Sequence, residues 1–320
     1  MTSLLEHLQF SFSVTGPICI VLFLGMGFKY FRLINDNFIE VASKLVFKVT
    51  LPALLFFNIV DSDHQISSSI PLLVFALVAN VAFFIFTSVI AKRCFDNPSD
   101  QGVIIQGGFR ANTGIVGLAY VANAYGNDGI AIAAIYVACT TFCYNILAVI
   151  ALSPKGNQSG AQSFAMMGKT MTKNPLIISI VAGVACKVVG FPIPTVVSEA
   201  GHYFAHMTLP LALLCTGGAL NLRALKADLN KAWFASGFRL VLAPLMLTVA
   251  GYLFGFRGVE LGVIFLMSAA PTAAASYVMA RAMNANANLA ANIIALTTLL
   301  SLISCTLGIA MLSHFGLISA

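Results

Sequence analysis

Charged residues are scarce in this chain. Asp, Glu, Lys and Arg make up 9% of its 320 residues, whereas ordinary soluble domains contain about 25%. Hydrophobic residues account for 59%, and the mean hydropathy is +0.93. A soluble globule of this size needs far more polar surface, which excludes a soluble enzyme and a disordered chain. Long apolar runs also exclude a porin-type barrel, whose strands alternate apolar and polar residues.

The usual signatures of enzyme chemistry are missing as well. The sequence contains no phosphate-binding loop, no HExxH, no GxSxG and no CxxC. Its eleven carboxylates fall in connections or close to the ends of apolar runs, so no acid pair is available inside a span. Six of the seven cysteines lie within apolar runs, as small buried side chains do. We expect no catalytic residue, no metal and no cofactor, and nothing suggests nucleic acid as a partner.

Ten long apolar runs fill most of the chain. Each is close to the roughly 20 residues that a helix needs to cross a bilayer. A polar connector at 154–173, rich in Gly, Ser, Gln and Lys, divides the chain into a first five-run unit at 1–153 and a second at 174–320. The runs lie at 11–31, 41–60, 69–91, 102–124, 129–153, 174–191, 197–220, 233–255, 260–282 and 289–314.

The two units resemble each other in sequence. Pro17 and Pro175 are 158 residues apart, and the Thr-Leu-Pro triplets at 50–52 and 208–210 have the same spacing. Prolines inside helices are costly, so their recurrence at one offset indicates a repeat. Five spans per unit is an odd number, so the second copy must enter the membrane from the opposite side. The predicted fold is an all-α polytopic membrane protein with ten transmembrane helices in two inverted five-helix repeats.

The basic residues predict the orientation. With the amino terminus outside, twelve Lys and Arg fall in inside connections, while only Lys187 and Arg257 fall outside. Cytoplasmic loops collect basic residues. We therefore expect a plasma-membrane protein (in a bacterium, the inner membrane) with 154–173 as a central cytoplasmic loop and both termini outside.

Span four carries an unusual cation. Arg110 lies roughly 13 Å from the inner boundary of its run at 1.5 Å per residue, near mid-membrane, where a cation is costly and usually functional. Glycines flank it at 107, 108 and 114, and Asn112 and Thr113 follow it. These residues weaken the helix. A purely structural role, in which Arg110 satisfies carbonyls of a broken helix, stays open.

Span nine contains a matching interruption at Pro271. A proline suits the first position of a new half-helix, and Pro271 stands 159 residues after Asn112. We expect crossed broken helices 4 and 9, with two helix amino termini and Arg110 forming an anion site at mid-membrane. Tyr144 and Asn145 of span five are weaker candidates. The predicted substrate-binding residues are Arg110, Asn112, Thr113, Gly114, Pro271, Thr272, Tyr144 and Asn145.

Several segments resemble the auxin efflux carrier family of prokaryotic and plant transporters. The segment 109–118, FRANTGIVGL, is similar to the family's fourth-span signature. Further similar segments are NPLI at 174–177, LPLALL at 209–214 followed by the glycines at 217 and 218, AAP at 269–271, and LTTLLS at 296–301. The resemblance implies ten helices, with spans 1, 2, 6 and 7 as a scaffold and spans 3–5 and 8–10 as a moving domain. It also implies transport of carboxylate anions.

The chain departs from the plant members of that family. Those members have proline at both crossover points, whereas Asn112 occupies the first point here. The long central loop is also lacking, so a small mono- or dicarboxylate is a more fitting substrate than auxin. We expect a secondary transporter of small organic anions, with membrane lipid as surroundings and a homodimer left open. The alternatives are a sodium-coupled bile-acid-type symporter and a membrane-embedded enzyme or sensor.

Overall fold

The computed structural model describes residues 4–61, 70–153, 175–220 and 228–318. The central loop predicted at 154–173 lies outside these residues. The described residues are almost entirely helical, and their only β-type pairing is an isolated antiparallel bridge between Ala111 and Thr272. The helices are α1 (Leu4–Tyr30), α2 (Asp36–Leu45), α3 (Leu51–Asp61), α4 (Ile70–Cys94), α5 (Pro98–Phe109), α6 (Leu118–Leu152), α7 (Pro175–Val189), α8 (Thr195–Ala219), α9 (Leu229–Gly237), α10 (Ala243–Leu253), α11 (Gly258–Ala269), α12 (Ala275–Ala282) and α13 (Ala287–His314).

Three π-helical turns extend these helices. They join α2 to α3, precede α6, and join α9 to α10. Within the described residues, six continuous helical stretches are long and apolar enough to cross a membrane, and three of them include such a turn: Leu8–Tyr30, Asp36–Asp61, Ile70–Cys94, Thr113–Leu152, Leu229–Leu253 and Ala287–His314. The chain is therefore an all-helical, multi-pass membrane protein, as the composition predicts. The count of ten spans and the inverted repeat stay predictions.

The longest stretch contains a break. Thr113–Leu152 spans 40 residues, but Gly126 within it has φ 59° and ψ −148°, which is not a helical conformation. Positive φ is readily adopted only by glycine. The break coincides with the predicted boundary between the apolar runs 102–124 and 129–153.

The helices pack in two groups. In the first, α1 and α2 pack against α8, and α3 packs against both α7 and α8. Gly25 of α1 and Gly217 of α8 let these two backbones approach, because a side chain on either glycine would collide with a backbone carbonyl of the other helix. In the second group, α4, α5 and α6 pack together, α10 packs on α11, and α9 and α12 pack on α13. The groups are joined where α1 packs against α13 and where α1 and α3 contact α6.

A polar cluster ties together the beginnings of α5, α9 and α13. Lys231 donates hydrogen bonds to Asp100 at 2.7 Å and to Asp228 at 2.8 Å, and Asn286 donates to Asp100 at 2.8 Å. Asp100 lies in the first turn of α5 and is buried. This carboxylate is therefore close to a helix end, as the sequence predicts, but it is not exposed. The Lys231 and Asn286 hydrogen bonds lower the pKa of the Asp228 carboxyl.

Candidate functional site

The two interrupted helices meet inside the protein. Helix α5 ends at Phe109 and α11 at Ala269, and the chain continues in an extended conformation at Arg110 and Ala270. The N–H of Asn112 donates to the carbonyl of Pro271 at 2.7 Å, and the N–H of Ala273 donates to the carbonyl of Arg110 at 3.0 Å. These paired bonds join the extended segments as a short antiparallel pair. We call this junction, residues 107–117 with 268–275, the crossing.

The sequence around the crossing explains its geometry. Gly107 is closely packed, since a Cβ there would lie 2.8 Å from a methyl carbon of Ile293. The Thr272 hydroxyl donates to the Gly107 carbonyl at 2.7 Å, and the Thr272 N–H donates to Thr297 Oγ1 at 3.1 Å. Pro271 has no N–H to donate and cannot continue the helix. The Thr272 side chain therefore links the two broken helices by a hydrogen bond.

Two helix starts point away from the crossing. Asn112 precedes the π-helical turn Thr113–Gly117, and its side chain makes no capping hydrogen bond. Ala274, at the start of α12, also provides no side-chain cap. Helix starts carry unpaired N–H groups and a partial positive charge. Both starts consequently favour negative charge at the crossing, and π-helical turns of this kind often occur at functional sites.

Arg110 is a buried cation with neutral partners. Its side chain is 7% exposed. One guanidinium nitrogen donates to Asn145 Oδ1 at 2.8 Å, and the other contacts the sulfur of Met279. None of the ion pairs found among the described residues includes Arg110. Burying a charge is costly unless it is paired, so this guanidinium lacks the counter-charge that the fold would otherwise need.

A second buried arginine lies behind the first. Arg239, in the π-helical turn after α9, is 1% exposed. It donates to the carbonyl of Phe109 at 2.7 Å and to the carbonyl of Ser268, which are free acceptors at the carboxyl ends of α5 and α11. Arg239 is absent from the residues predicted to bind substrate. It stands well inside the apolar run 233–255, so the sequence carries the same signal for Arg239 as for Arg110.

The structure brings most of the predicted residues together. Arg110, Asn112, Pro271 and Thr272 form the crossing, with Thr113 and Gly114 in the turn that follows, and Asn145 contacts the guanidinium. Tyr144 also reaches the crossing, through hydrogen bonds with the backbone of Ala111 and with the Arg239 side chain.

The Tyr144 hydroxyl belongs to a neighbouring hydrogen-bond network. It donates to Asn80 Oδ1 at 2.8 Å, and the Asn80 amide also reaches Tyr136 at 3.3 Å. The Tyr144 ring packs against Phe109, with 5.7 Å between ring centroids. In the described part of the chain, no group of three or more His, Cys, Asp or Glu side chains could hold a metal.

Interrupted helices paired at a buried arginine, within a multi-pass helical bundle, are features of a membrane transporter. The chain belongs to the membrane transport protein family, whose model matches residues 14–309. The resemblance to auxin efflux carriers is thereby confirmed. Because the family consists of membrane transporters, transport rather than catalysis is the expected activity.

Similar proteins include two archaeal transporters without an assigned substrate. An uncharacterized transporter of Methanothermobacter thermautotrophicus is 24% identical over 289 residues, which cover 90% of this chain and 93% of the relative. One of Methanocaldococcus jannaschii is 23% identical over 292 residues, covering 89% and 94%. Auxin efflux carrier component 1 of Arabidopsis thaliana is 27% identical over 125 residues, covering 37% of this chain and 20% of that protein.

Proposed function

We propose that this protein is a secondary transporter that moves a small carboxylate anion across the plasma membrane by alternating access. The substrate carboxylate would bind at the crossing, where the Arg110 guanidinium can hold it through two parallel hydrogen bonds. The proposal refines the family assignment by naming a substrate class and a site.

The observation that carries the proposal is the unpaired charge of Arg110. This side chain is 7% exposed and has only a neutral amide and a thioether as described partners. Removing one partner of a buried ion pair is strongly destabilising because the remaining charge is left uncompensated. An anionic substrate bound beside Arg110 would supply the missing counter-charge.

The surroundings of Arg110 favour the same substrate. The helix starts after Asn112 and Ala274 add partial positive charge, and the crossing contains no Asp or Glu. An incoming cation would be repelled. The hydrogen bond to Asn145 orients the Arg110 guanidinium before the substrate arrives. Less conformational entropy is therefore lost when a carboxylate binds.

The packing supports a division into a scaffold and a moving part. Spans 1, 2, 6 and 7 correspond to α1, α2–α3, α7 and α8, which pack on one another. The remaining helices pack around the crossing. We infer that the second group carries the substrate past the first, in an inverted-repeat fold with both termini outside.

Coupling distinguishes this proposal from its nearest rival. A sodium-coupled symporter of the bile-acid type would need a cation site, and carboxylates are frequent parts of such sites. The crossing supplies cationic rather than anionic side chains, which favours an uncoupled or exchange-driven anion carrier.

The test is to measure substrate affinity and melting temperature on the same purified variants. A thermal-shift screen of the wild type against mono- and dicarboxylates identifies a ligand. Arg110→Ala should then lower its affinity by about 10- to 100-fold, because hydrogen bonds to charged groups contribute about 1.5–3 kcal/mol. Arg110→Lys should recover part of the affinity, since an ammonium cannot bind a carboxylate bidentately.

The matched control is Arg281→Ala, which removes an exposed arginine from α12. This variant should bind like the wild type. A folded Arg110→Ala protein with unchanged affinity would show that Arg110 only supports the broken helix. Failure of every carboxylate to bind the wild type would contradict the proposed substrate class.

A further inference from the structure

A cavity separate from the crossing lies at the end of the bundle that carries Lys92. It has a volume of about 420 Å³ and is bounded by the last turns of α4, the start of α5, the end of α6 and the turn at 283–285. Among the described residues that line it, none is acidic and Lys92 is the one that carries a charge. The cavity is therefore electropositive at one end.

The cavity walls change from apolar to polar along its length. Ile85, Val89 and Ile150 line it and are 55%, 44% and 50% exposed on the lipid-facing surface. Lys92, Ser99 and Asn284 line the other end. An amphiphile with an anionic head and an acyl chain matches this gradient, whereas a small polar ion would leave the apolar walls unused.

Ser88 provides a separate observation. It lies one helical turn before Lys92 on α4, lines the cavity and is 8% exposed. Its hydroxyl has no hydrogen-bond partner among the described residues. Buried hydroxyl groups are normally hydrogen-bonded to protein or to a bound molecule. A ligand in the cavity would supply the missing partner.

The start of α5 adds to the positive potential. Pro98 and Ser99 begin this helix at the cavity wall, and helix starts carry partial positive charge. The Asn97 side chain already accepts the Ser99 N–H at 3.0 Å, so the helix contributes through its dipole. The acidic residue of the same turn, Asp100, is paired with Lys231.

We propose that this cavity binds the headgroup and first acyl carbons of an anionic phospholipid from the adjacent leaflet. Lys92 would pair with the phosphate, the Ser88 hydroxyl would bond to an oxygen of the glycerol ester region, and an acyl chain would lie along Ile85, Val89 and Ile150. A basic side chain near a membrane surface contributes about 1 kcal/mol to anionic-lipid attraction, which corresponds to roughly fivefold in affinity.

The experiment uses the full-length protein in detergent with phosphatidylglycerol as the probe and phosphatidylcholine as the neutral comparison. Native mass spectrometry counts bound lipid, and a photoactivatable phosphatidylglycerol maps the contact. We expect phosphatidylglycerol to bind more tightly than phosphatidylcholine and to label residues 84–92 or 150–153. Preferential labelling elsewhere would overturn the proposal.

Lys92→Gln and Arg93→Gln form a matched pair, because Arg93 is an exposed neighbour that does not line the cavity. Lys92→Gln should weaken phosphatidylglycerol binding about fivefold, and Arg93→Gln by less than twofold. Equal losses would mean general attraction to the basic surface and would overturn the site.

Two further experiments test whether the lipid occupies the cavity and whether the bound phosphate belongs to a lipid. Ser88→Phe should block lipid binding by filling the space, and wild-type binding in this variant would overturn the proposal. If Ser88→Phe does not fold, the Lys92 and Arg93 pair decides alone. Soluble sn-glycerol 3-phosphate should give little stabilisation, and an effect equal to that of phosphatidylglycerol would replace the lipid with a free phosphate ester.

Discussion

The two buried arginines have different kinds of partner. Arg239 donates to backbone carbonyls at the ends of two helices, and these acceptors are fixed by the fold. Arg110 donates to the side chains of Asn145 and Met279. A carboxylate can replace such neutral side-chain partners of a guanidinium. Arg239 is accordingly a supporting residue, and Arg110 is the one suited to bind.

Replacing Arg239 should destabilise the fold. Arg239→Met leaves the carbonyls of Phe109 and Ser268 without their donor, and each unsatisfied buried group costs about 1–3 kcal/mol. The thermal melting temperature should fall well below that of the wild type, with Arg239→Lys between the two. Arg281→Met, at an exposed position, is the control, and equal melting of the two methionine variants would refute this role.

At the scale of single residues, the sequence predicted part of the crossing. The glycines around Arg110 and the proline at 271 are local signals, so the interruptions could be located from them. The partners of Thr272 and Tyr144 could not, because Gly107 and Asn80 are distant in the chain and only tertiary packing brings them near. Arg239 could also have been predicted from the sequence, because it is a charged residue inside an apolar run.

Among the helices, α1 and α8 approach each other closely through their backbones. It depends on Gly25 and Gly217, each of which faces a backbone carbonyl of the other helix. Small residues at such contacts let membrane helices pack without a hydrophobic driving force. This contact should therefore be sensitive to added volume.

Gly25→Ala should therefore lower the melting temperature, whereas Gly27→Ala in the same helix should not. A Cβ at Gly27 would meet no atom within 4 Å, and alanine is favoured over glycine in a helix interior by about 1 kcal/mol. Thermal unfolding of both variants measures the difference. A lower melting temperature for Gly27→Ala than for Gly25→Ala would contradict the close approach.

Helix boundaries were predicted with uneven success. The break at Gly126 falls between two apolar runs, as polarity around it suggests. The three π-helical turns have no equivalent signal, because one extra residue per turn hardly changes the hydrophobic pattern. The interruption between α5 and the turn at Thr113 could be predicted from the local composition. The pairing of this interruption with the one after α11 could be predicted only by assuming that the two units are repeats.

For the whole molecule, the sign of the charge at the crossing bears on coupling. Arg110 and the two helix starts are positive, and the crossing holds no carboxylate. Transport should therefore continue when choline replaces sodium in reconstituted vesicles. An anion leaving a negative-inside compartment gains about 2.3 kcal/mol per charge per 100 mV, so efflux should respond to an imposed potential. Loss of transport in choline would favour the sodium-coupled alternative.

The bonds at the crossing also restrict how the protein can expose its cargo. The ends of the half-helices are held together by several hydrogen bonds. These are the two backbone bonds of the crossing, the bond from the Thr272 hydroxyl, and the two bonds from the Arg239 guanidinium. Opening a gate between those ends would break all of these bonds at once. Sliding the intact junction along its neighbouring helices breaks none of them. The substrate site would then move as a closed unit, and the barrier to this movement would arise where α1 and α3 pack against α6 and where α1 packs against α13.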